Sequence, residues 1–272
     1  MTNIERSGIR MVVSDMDGTL LLDGAQQLSQ RSVQVIRRLQ ERGIRFVAAS
    51  GRQWYNVENL CNGLHRPLSM IVENGAMTIL DGQIATKHCF DRETEREIMT
   101  AMQELPTAEL LFSGERSCYI CPKTDWYFNL VVNVVRNRTT VIRTPFEIED
   151  ELIKISMWLP EGTEDSFRQW RERFGDKAHV VTSGNGWLDM VPKGVNKGVA
   201  LQGILDYYDL RPEQCLVFGD NYNDIEMLAL TPYSYAMKHG EERAKQAAVY
   251  ETAAVDETLE AWLDAWEQKD GR

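Results

Sequence analysis

The feature that most constrains the fold of this chain is an alternation of short apolar runs and helix-like segments near both ends. Apolar runs of strand character cover residues 9–14 and 44–49 and, much later, Cys215–Gly219. Between the first two, the apolar residues of 29–42 recur on one helix face, and Gly43 follows as a stop. Strands that alternate with helices in this way predict an α/β fold, with a parallel sheet and helices on both faces.

The middle of the chain follows a different pattern. From about residue 84 to 186, helix-like segments mix with short strands instead of alternating with them, and the alternation resumes after Trp187. A stretch of this length is sufficient for a small domain. We therefore predict a core built from residues 1–83 and 187–272, into which residues 84–186 are inserted as an α+β domain.

Two acidic residues, Asp15 and Asp17, follow the first apolar run, and Gly18 and Thr19 come directly after them. They are expected at the carboxyl end of a strand, which is where open α/β sheets bind their ligands. Two carboxylates this close repel each other unless a cation lies between them. The pattern indicates either a Mg²⁺ site in which one carboxylate is also a nucleophile, or an acidic turn that serves only the backbone.

A second acidic segment follows the apolar run at 215–218 and contains Asp220, Asn223 and Asp224. If the two strands are neighbours, these acids add negative charge to the edge that carries the first pair. A hard cation with oxygen ligands, such as Mg²⁺, makes such a cluster tolerable. Asn223 or Asp224 can also cap the following helix, and the two interpretations are compatible.

Groups that could bind an anion occur at two further places. Ser50, Gly51 and Arg52 follow the strand at 44–49, where a hydroxyl and exposed backbone N–H groups can hold a phosphate oxygen. Lys197 lies at the start of a predicted helix, where it could neutralise both a nucleophile and a phosphate. Taken singly, a capping serine and a surface lysine are the ordinary alternatives.

In this order along the chain, these segments resemble the four motifs of the haloacid dehalogenase superfamily of phosphohydrolases. The motifs are Asp15-x-Asp17-Gly18-Thr19, Ser50, Lys197 and Gly219-Asp220-x-x-x-Asp224. The longer segments at 49–52, 73–76, 195–198 and 219–224 are similar to the Cof-type branch, which carries a cap domain between the second and third motifs. The resemblance covers nearly the whole chain and implies a Rossmann-like core beneath an α+β cap.

The resemblance also implies a catalytic and metal-binding role for each acidic residue. Asp15 would be the nucleophile that forms an aspartyl-phosphate, and Asp17 would protonate the leaving group and then deprotonate the water. Asp15, the main-chain carbonyl of Asp17, and Asp220 would bind Mg²⁺. Asp224 would be an outer or additional ligand.

The remaining motif residues would bind the substrate. Ser50 and Lys197 would hold the phosphate together with Asn223, and Arg52 and Asn74 are candidates to contact the leaving group. Gly51 belongs to the same phosphate loop. Substrate choice is expected to lie with the cap, where the loop at 183–186, including Asn185, could reach the site or could serve only as a hinge.

The function implied is a Mg²⁺-dependent phosphatase of small phosphorylated metabolites, with sugar phosphates favoured. A phosphomutase or phosphotransferase acting on sugar phosphates is the second possibility, because enzymes of this kind share the core. A non-catalytic sensor of phosphorylated metabolites is the third, although it would not be expected to keep both Asp15 and Asp17.

The net charge and the cysteines of the chain limit which partners and which cellular compartment are expected. The net charge of −11 disfavours nucleic acid and anionic membranes as partners, so a small phosphorylated molecule is expected. The 5 cysteines are scattered and odd in number, which favours a reducing compartment over a disulfide framework. Residues 1–8 lack the apolar core of a signal peptide, so a cytoplasmic location is expected.

Overall fold

The computed structural model describes residues 8–183 and 186–270. Within these residues, no helix combines the length and the apolar character needed to cross a membrane. The strands are β1 (Met11–Asp15), β2 (Arg45–Ala49), β3 (Ser69–Val72), β4 (Met77–Leu80), β5 (Gln83–Lys87), β6 (Glu109–Gly114), β7 (Cys118–Ile120), β8 (Thr139–Val141), β9 (Leu152–Trp158), β10 (Ala178–Thr182), β11 (Trp187–Pro192), β12 (Cys215–Gly219), β13 (Ser234–Met237) and β14 (Tyr250–Thr252). The helices are α1 (Gln30–Glu41), α2 (Trp54–Leu60), α3 (Arg92–Met102), α4 (Asp125–Asn129), α5 (Glu164–Phe174), α6 (Lys197–Tyr207), α7 (Ile225–Ala229), α8 (Glu242–Ala247) and α9 (Val255–Asp270).

The larger of two sheets has the strand order β14-β13-β12-β1-β2-β3-β4-β5. Its pairs are parallel from β14 to β3, and β4 and β5 add an antiparallel hairpin at one edge. The hairpin turns at Asp81 and Gly82, which both have positive φ, as a tight two-residue turn requires. We call this the large sheet.

Helices cover both faces of the large sheet. Met11 and Val13 of β1 pack in a buried cluster with residues of α6 and α7, whereas Val12 packs in another with residues of α1 and α9. Because successive side chains of a strand point to opposite faces, a strand that is apolar throughout needs a helix layer on each side. The predicted α/β fold is confirmed.

The second sheet, which we call the small sheet, has the order β10-β11-β9-β6-β7-β8. Its pairs are antiparallel except for β7 with β8. One face packs against α3 and α5 in a hydrophobic cluster of its own, which includes Ile98 and Trp170. On the opposite face, Leu111 and Ile120 pack with Tyr127 of α4, whereas Lys154, Ser156 and Trp158 line the space toward the large sheet.

For two strands, the sheet to which they belong differs from what the predicted domain borders imply. β5 continues to Lys87 in the large sheet, past the border at residue 83, because a two-residue turn holds it against β4. β11 begins at Trp187 but belongs to the small sheet, because it pairs with both β9 and β10. A strand is assigned to a sheet by its pairing partners, which the change in sequence pattern does not reveal. The division into two domains stays a prediction.

Candidate active site

The acidic segments meet at one edge of the large sheet. β1 lies between β2 and β12 and runs parallel to both, with Asp15 opposite Ala49. Because the carboxyl ends of parallel strands meet at the same edge, the segments that follow them, 16–19, 50–52 and 220–224, lie together. The structure thus brings together acidic segments that lie about 200 residues apart in the sequence.

Lys197 is the buried centre of this edge. Its ammonium group donates to Asp15 Oδ1 at 2.5 Å and to Asp224 Oδ1 at 2.7 Å, and its side chain is 0% exposed. The side chain reaches these acids from the first position of α6, whose N-cap Asn196 accepts a hydrogen bond from the backbone N–H of Val199. A buried charge is tolerated only when it is paired, so Lys197 and the two carboxylates depend on one another.

Asp224 orders the loop that carries Asp220. Its Oδ2 accepts the backbone N–H of Asp220 at 2.9 Å and that of Asn221 at 3.1 Å, while its Oδ1 accepts from Lys197. Asp224 is therefore occupied on both oxygens by groups of the protein. This arrangement fits a residue that positions the loop of Asp220 better than it fits a direct ligand of a metal ion.

The loop after β1 approaches Asp220 closely. Thr19 donates from its hydroxyl to Asp220 Oδ1 at 2.8 Å. Gly18 has a φ of +82°, and a Cβ at this position would lie 2.3 Å from Asp220 Oδ2. Only glycine avoids both the backbone strain and the clash, which explains its place in the motif.

The carboxylates of Asp15, Asp220 and Asp224 form a cluster in which the potential ligand oxygens lie within 4.8 Å of one another. Burial, and then the charge of Asp224, raises the pKa of Asp15 well above its usual range, against the opposing effect of Lys197. The same two causes raise the pKa of Asp220 to about 6. Asp15 Oδ2 is buried and accepts no hydrogen bond from the part of the chain that the structure describes. The cluster therefore has more negative charge than Lys197 alone can offset.

The Asp17 carboxylate lies apart from this cluster and pairs with Arg52. The guanidinium donates from Nε to Asp17 Oδ2 at 2.7 Å and from Nη2 to Asp17 Oδ1 at 2.5 Å. Arg52 Nη1 also donates to Asn56 Oδ1 of α2 at 2.9 Å, which fixes the plane of the guanidinium. The ligand role implied for Asp17 concerned its carbonyl oxygen and stays a prediction.

Ser50 and Gly51 form the loop next to Asp15. Ser50 is 1% exposed, and its hydroxyl accepts the backbone N–H of Arg52 at 3.0 Å. The carbonyl of Gly51 accepts a hydrogen bond from Lys154, which is part of β9. The loop is thus held by one hydrogen bond within itself and by another from the small sheet.

Asn74 connects the two sheets. Its Oδ1 accepts from Asn223 Nδ2 at 3.0 Å, and its own Nδ2 donates to Asp189 Oδ2 of β11 at 2.8 Å. The backbone at Asn74 is left-handed, with φ 57°. Asparagine tolerates this conformation better than most residues, which allows the side chain to reach both partners.

Lys154 and Asp189 are site residues that the sequence analysis missed. Lys154 is 8% exposed in its side chain, and its ammonium group lies 2.8 Å from Glu73 Oε2 and 4.0 Å from Asp189 Oδ2. No motif contains either residue. A signal did exist in Lys154, the one charged residue of β9, because a charged residue in a buried strand is almost always paired.

A cavity of about 520 Å³ lies between the two sheets. This volume is ordinary for a small-molecule site. The wall on the large-sheet side includes Asp15, Asp17, Arg52 and Asn223, and the wall on the small-sheet side includes Lys154, Ser156, Trp158, Trp187 and Asp189.

The loop at 183–186 is described only at its ends. Ser183 donates from its hydroxyl to Asp189 Oδ2 at 2.8 Å and lines the cavity. Asn185, for which a part in substrate choice was expected, lies outside the described residues.

Comparison with known proteins agrees with this geometry. Residues 12–258 match the sequence profile of the haloacid dehalogenase-like hydrolases. The chain is 28% identical to the 5-amino-6-(5-phospho-D-ribitylamino)uracil phosphatase YbjI of Escherichia coli, over 89% of this chain and 90% of that protein. It is 24% identical to an HMP-PP phosphatase of Escherichia fergusonii, over 94% of this chain and 96% of that protein.

A solved structure shows the same fold. SMU.1108c from Streptococcus mutans superimposes with a TM-score of 0.85 at 26% identity, over 94% of this chain and 99% of that one. The match to the family profile spans both the large and the small sheet. The chain therefore belongs to the haloacid dehalogenase-like hydrolases, and the predicted enzyme class, a phosphatase of this family, is confirmed.

Proposed function

We propose that the protein is a Mg²⁺-dependent phosphatase of small phosphorylated metabolites and that Asp15 is its nucleophile. The observation that carries the proposal is Asp15 itself, which lines the cavity. Lys197 holds one of its oxygens, and the other is buried with no hydrogen-bond partner among the described residues. The names of the relatives, phosphatases of a phosphoribitylaminouracil and of HMP-PP, support a small phosphorylated substrate.

The reaction would proceed in two displacements. An oxygen of Asp15 attacks the phosphorus, the bond from phosphorus to the alcohol oxygen breaks, and the alcohol takes a proton from Asp17. Water then attacks the phosphorus of the aspartyl-phosphate while Asp17 takes the proton of the water, which regenerates Asp15 and releases inorganic phosphate. A carboxylate is a competent nucleophile toward phosphorus, and the transfer needs charge neutralisation and in-line positioning above all.

Arg52 would position Asp17 beside the leaving group. Each Asp17 oxygen accepts one hydrogen bond from Arg52 and keeps a second lone pair for a proton. The Asp17 side chain is 40% exposed, so a leaving group can reach it while the ion pair is intact. Arg52 also lies in the cavity wall, where its guanidinium could contact the leaving group itself.

The phosphate would be held by Ser50, the backbone of Gly51, Lys197 and Asn223. Lys197 is the buried cation next to Asp15, and Asn223 lies in the cavity wall with its amide directed to Asn74. Asn74 would act on the leaving group through this contact and through Asp189.

The donor set suits Mg²⁺. Asp15 and Asp220, the carbonyl of Asp17 and, behind them, Asp224 would hold the ion, because a hard cation prefers oxygen ligands. Within the described residues Asp15 Oδ2 accepts no hydrogen bond, and burial, followed by the charge of Asp224, raises the pKa of Asp220 to about 6. A bound cation would relieve both. When bound, the ion offsets charge on the phosphoryl oxygens.

A screen of phosphorylated metabolites tests the activity. The protein is incubated with each compound, with and without Mg²⁺, and inorganic phosphate and the organic product are both measured. We expect equal amounts of phosphate and dephosphorylated alcohol, and only when Mg²⁺ is present. An isomerised phosphate without release of inorganic phosphate would instead indicate a phosphomutase, and no turnover of any compound would oppose both.

Mg²⁺ is expected to stabilise the folded protein. At a concentration about 100 times its dissociation constant, a ligand that binds only the folded state adds about 2.7 kcal/mol to the free energy of unfolding. Denaturant titration of the parent with and without Mg²⁺ measures this gain. Asp220→Asn should lose most of the gain, whereas Asp176→Asn, the same change at an exposed position, should keep it. An equal gain in both variants would place the ion elsewhere.

A further inference from the structure

This inference rests on the proposed function and concerns the part of the substrate that leaves. One face of β9 presents Lys154, Ser156 and Trp158 to the cavity, because alternate residues of a strand share a face. Asp189 is paired opposite Ser156, and Trp187 opposite Trp158. From Lys154 to Trp158, about 13 Å along the strand, the cavity wall changes from charged to hydroxylic to aromatic.

Three tryptophans are among the residues that line the cavity at the Trp158 end of β9, which we call its far end. The ring of Trp126, from α4, lies 4.5 Å from that of Trp158, with 47° between their planes. Trp187 lines the same end. Trp126 is 51% exposed, although a tryptophan ring gains much by burial. A flat ring of a ligand placed here would cover it.

The cavity wall includes two residues with a buried polar atom that has no hydrogen-bond partner among the described residues. Ser156 is 1% exposed, and its hydroxyl has no hydrogen-bond partner within residues 8–183 and 186–270. The side-chain oxygen of Asn137, which also lines the cavity, is buried and unpartnered in the same part of the chain. Native proteins rarely leave such atoms unpaired. A ligand with hydroxyl groups beside Ser156 and Asn137 would supply the missing hydrogen-bond partners.

We propose that the substrate is a phosphate monoester of a hydroxylated carbon chain or pentose that carries a planar ring at its other end. The phosphate lies at Asp15, the hydroxyl groups lie at the level of Ser156, and the ring stacks on Trp126 and Trp158. A sugar phosphate without a ring would occupy only the half of the cavity nearest the catalytic acids. Ser156, Trp126 and Trp158 are thus specificity-determining residues.

The test compares ribose 5-phosphate, which has no ring, with uridine 5′-monophosphate, which has the same phosphate and pentose with a planar base. The parent should use the ringed compound with a kcat/KM on the order of 10-fold higher, since stacking on one aromatic side chain is worth about that factor or more. Trp126→Leu should remove most of this preference, chiefly through KM, and leave ribose 5-phosphate unchanged. Trp126→Phe should restore it.

Phe128→Leu is the matched control, because Phe128 lies on the same helix, is 39% exposed and is not among the residues that line the cavity. It should leave both substrates unchanged. Ser156→Ala should lower kcat/KM for both pentose phosphates, on the order of 10-fold, and spare 4-nitrophenyl phosphate, which has no hydroxyl groups.

The outcomes separate this inference from the proposed function. Release of phosphate from all three compounds without preference for the ring, or an equal loss on all three in Trp126→Leu, would overturn the inference and leave the phosphatase in place. No release even from 4-nitrophenyl phosphate would overturn both. Equilibrium binding of the two pentose phosphates to Asp15→Asn gives a second reading of the same preference without turnover, and equal affinities would also count against the ring site.

Discussion

Replacement of Asp15 by Asn is expected to lower kcat on the order of 10⁴-fold or more, because it removes the proposed covalent nucleophile and so disables the whole reaction sequence. The amide is nearly isosteric but is a very poor nucleophile toward phosphorus. Lys197 keeps Asp224 as a partner in this variant, so the fold should be maintained. Initial rates with 4-nitrophenyl phosphate and Mg²⁺ measure the loss.

Asp176→Asn is the control for this experiment, since it makes the same chemical change at an exposed position. It should retain the activity of the parent. Activity of Asp15→Asn within about tenfold of the parent would mean that another group attacks the phosphorus.

Replacement of Lys197 by Ala should damage activity and stability together. The variant loses the cation that offsets charge on Asp15 and, in the proposed mechanism, on the bound phosphate, and such a loss typically costs on the order of 10²-fold or more in rate. It also leaves the buried carboxylates of Asp15 and Asp224 without their partner. Breaking a buried ion pair in this way costs about 3–5 kcal/mol of the free energy of unfolding. Steady-state kinetics and urea denaturation measure the two effects.

Two further variants separate those effects. Lys193→Ala changes an exposed lysine four residues earlier and should alter neither quantity. The double variant Lys197→Met with Asp224→Asn removes one buried charge of each sign, so much of the stability should return while the activity should not. Recovery of activity in the double variant would show that Lys197 serves only the fold.

The parts of the site that could be predicted are those that local sequence encodes. Asp15, Ser50 and Asp220 each follow an apolar strand directly, and parallel strands with a common direction bring their carboxyl ends to one edge. Lys197 was a candidate from its place at a predicted helix start, but only the resemblance to a family distinguished it from an ordinary surface lysine. A lysine at a helix start has no local signal that it will be fully buried against Asp15, 182 residues away.

The parts that could not be predicted depend on long-range packing. The pairing of Asp17 with Arg52 was not expected, although both residues were proposed for the site. Lys154 reaches the Gly51 carbonyl across 103 residues of sequence, and no spacing rule connects them. Trp126 of α4 and Trp158 of β9 are in contact at the far end of the cavity, and neither residue belongs to a recognisable motif.

These contacts also connect the two halves of the site. Asn74 and Asp189, together with Lys154 and the Gly51 carbonyl, connect the small sheet to the loops that would hold the phosphate. A leaving group that contacts the small sheet would therefore act on the same loops as the phosphate. Substrate recognition and the positioning of Ser50 and Arg52 would then be coupled.

The most direct test of the proposed chemistry is to trap the phosphorylated enzyme. Asp17→Asn retains Asp15, the proposed nucleophile, but lacks the group proposed to activate water. With an aryl phosphate, whose leaving group needs little protonation, the first displacement should therefore outrun the second. The reaction is run with Mg²⁺, quenched in acid within milliseconds and analysed by peptide mass spectrometry.

We expect a phosphoryl group on Asp15 in Asp17→Asn, a smaller amount in the parent, and none in Asp15→Asn. Phosphate on Asp17 instead of Asp15 would reverse the roles of the two carboxylates. Normal turnover of the parent without a phosphoryl group on any peptide would contradict the covalent mechanism and indicate direct attack by water.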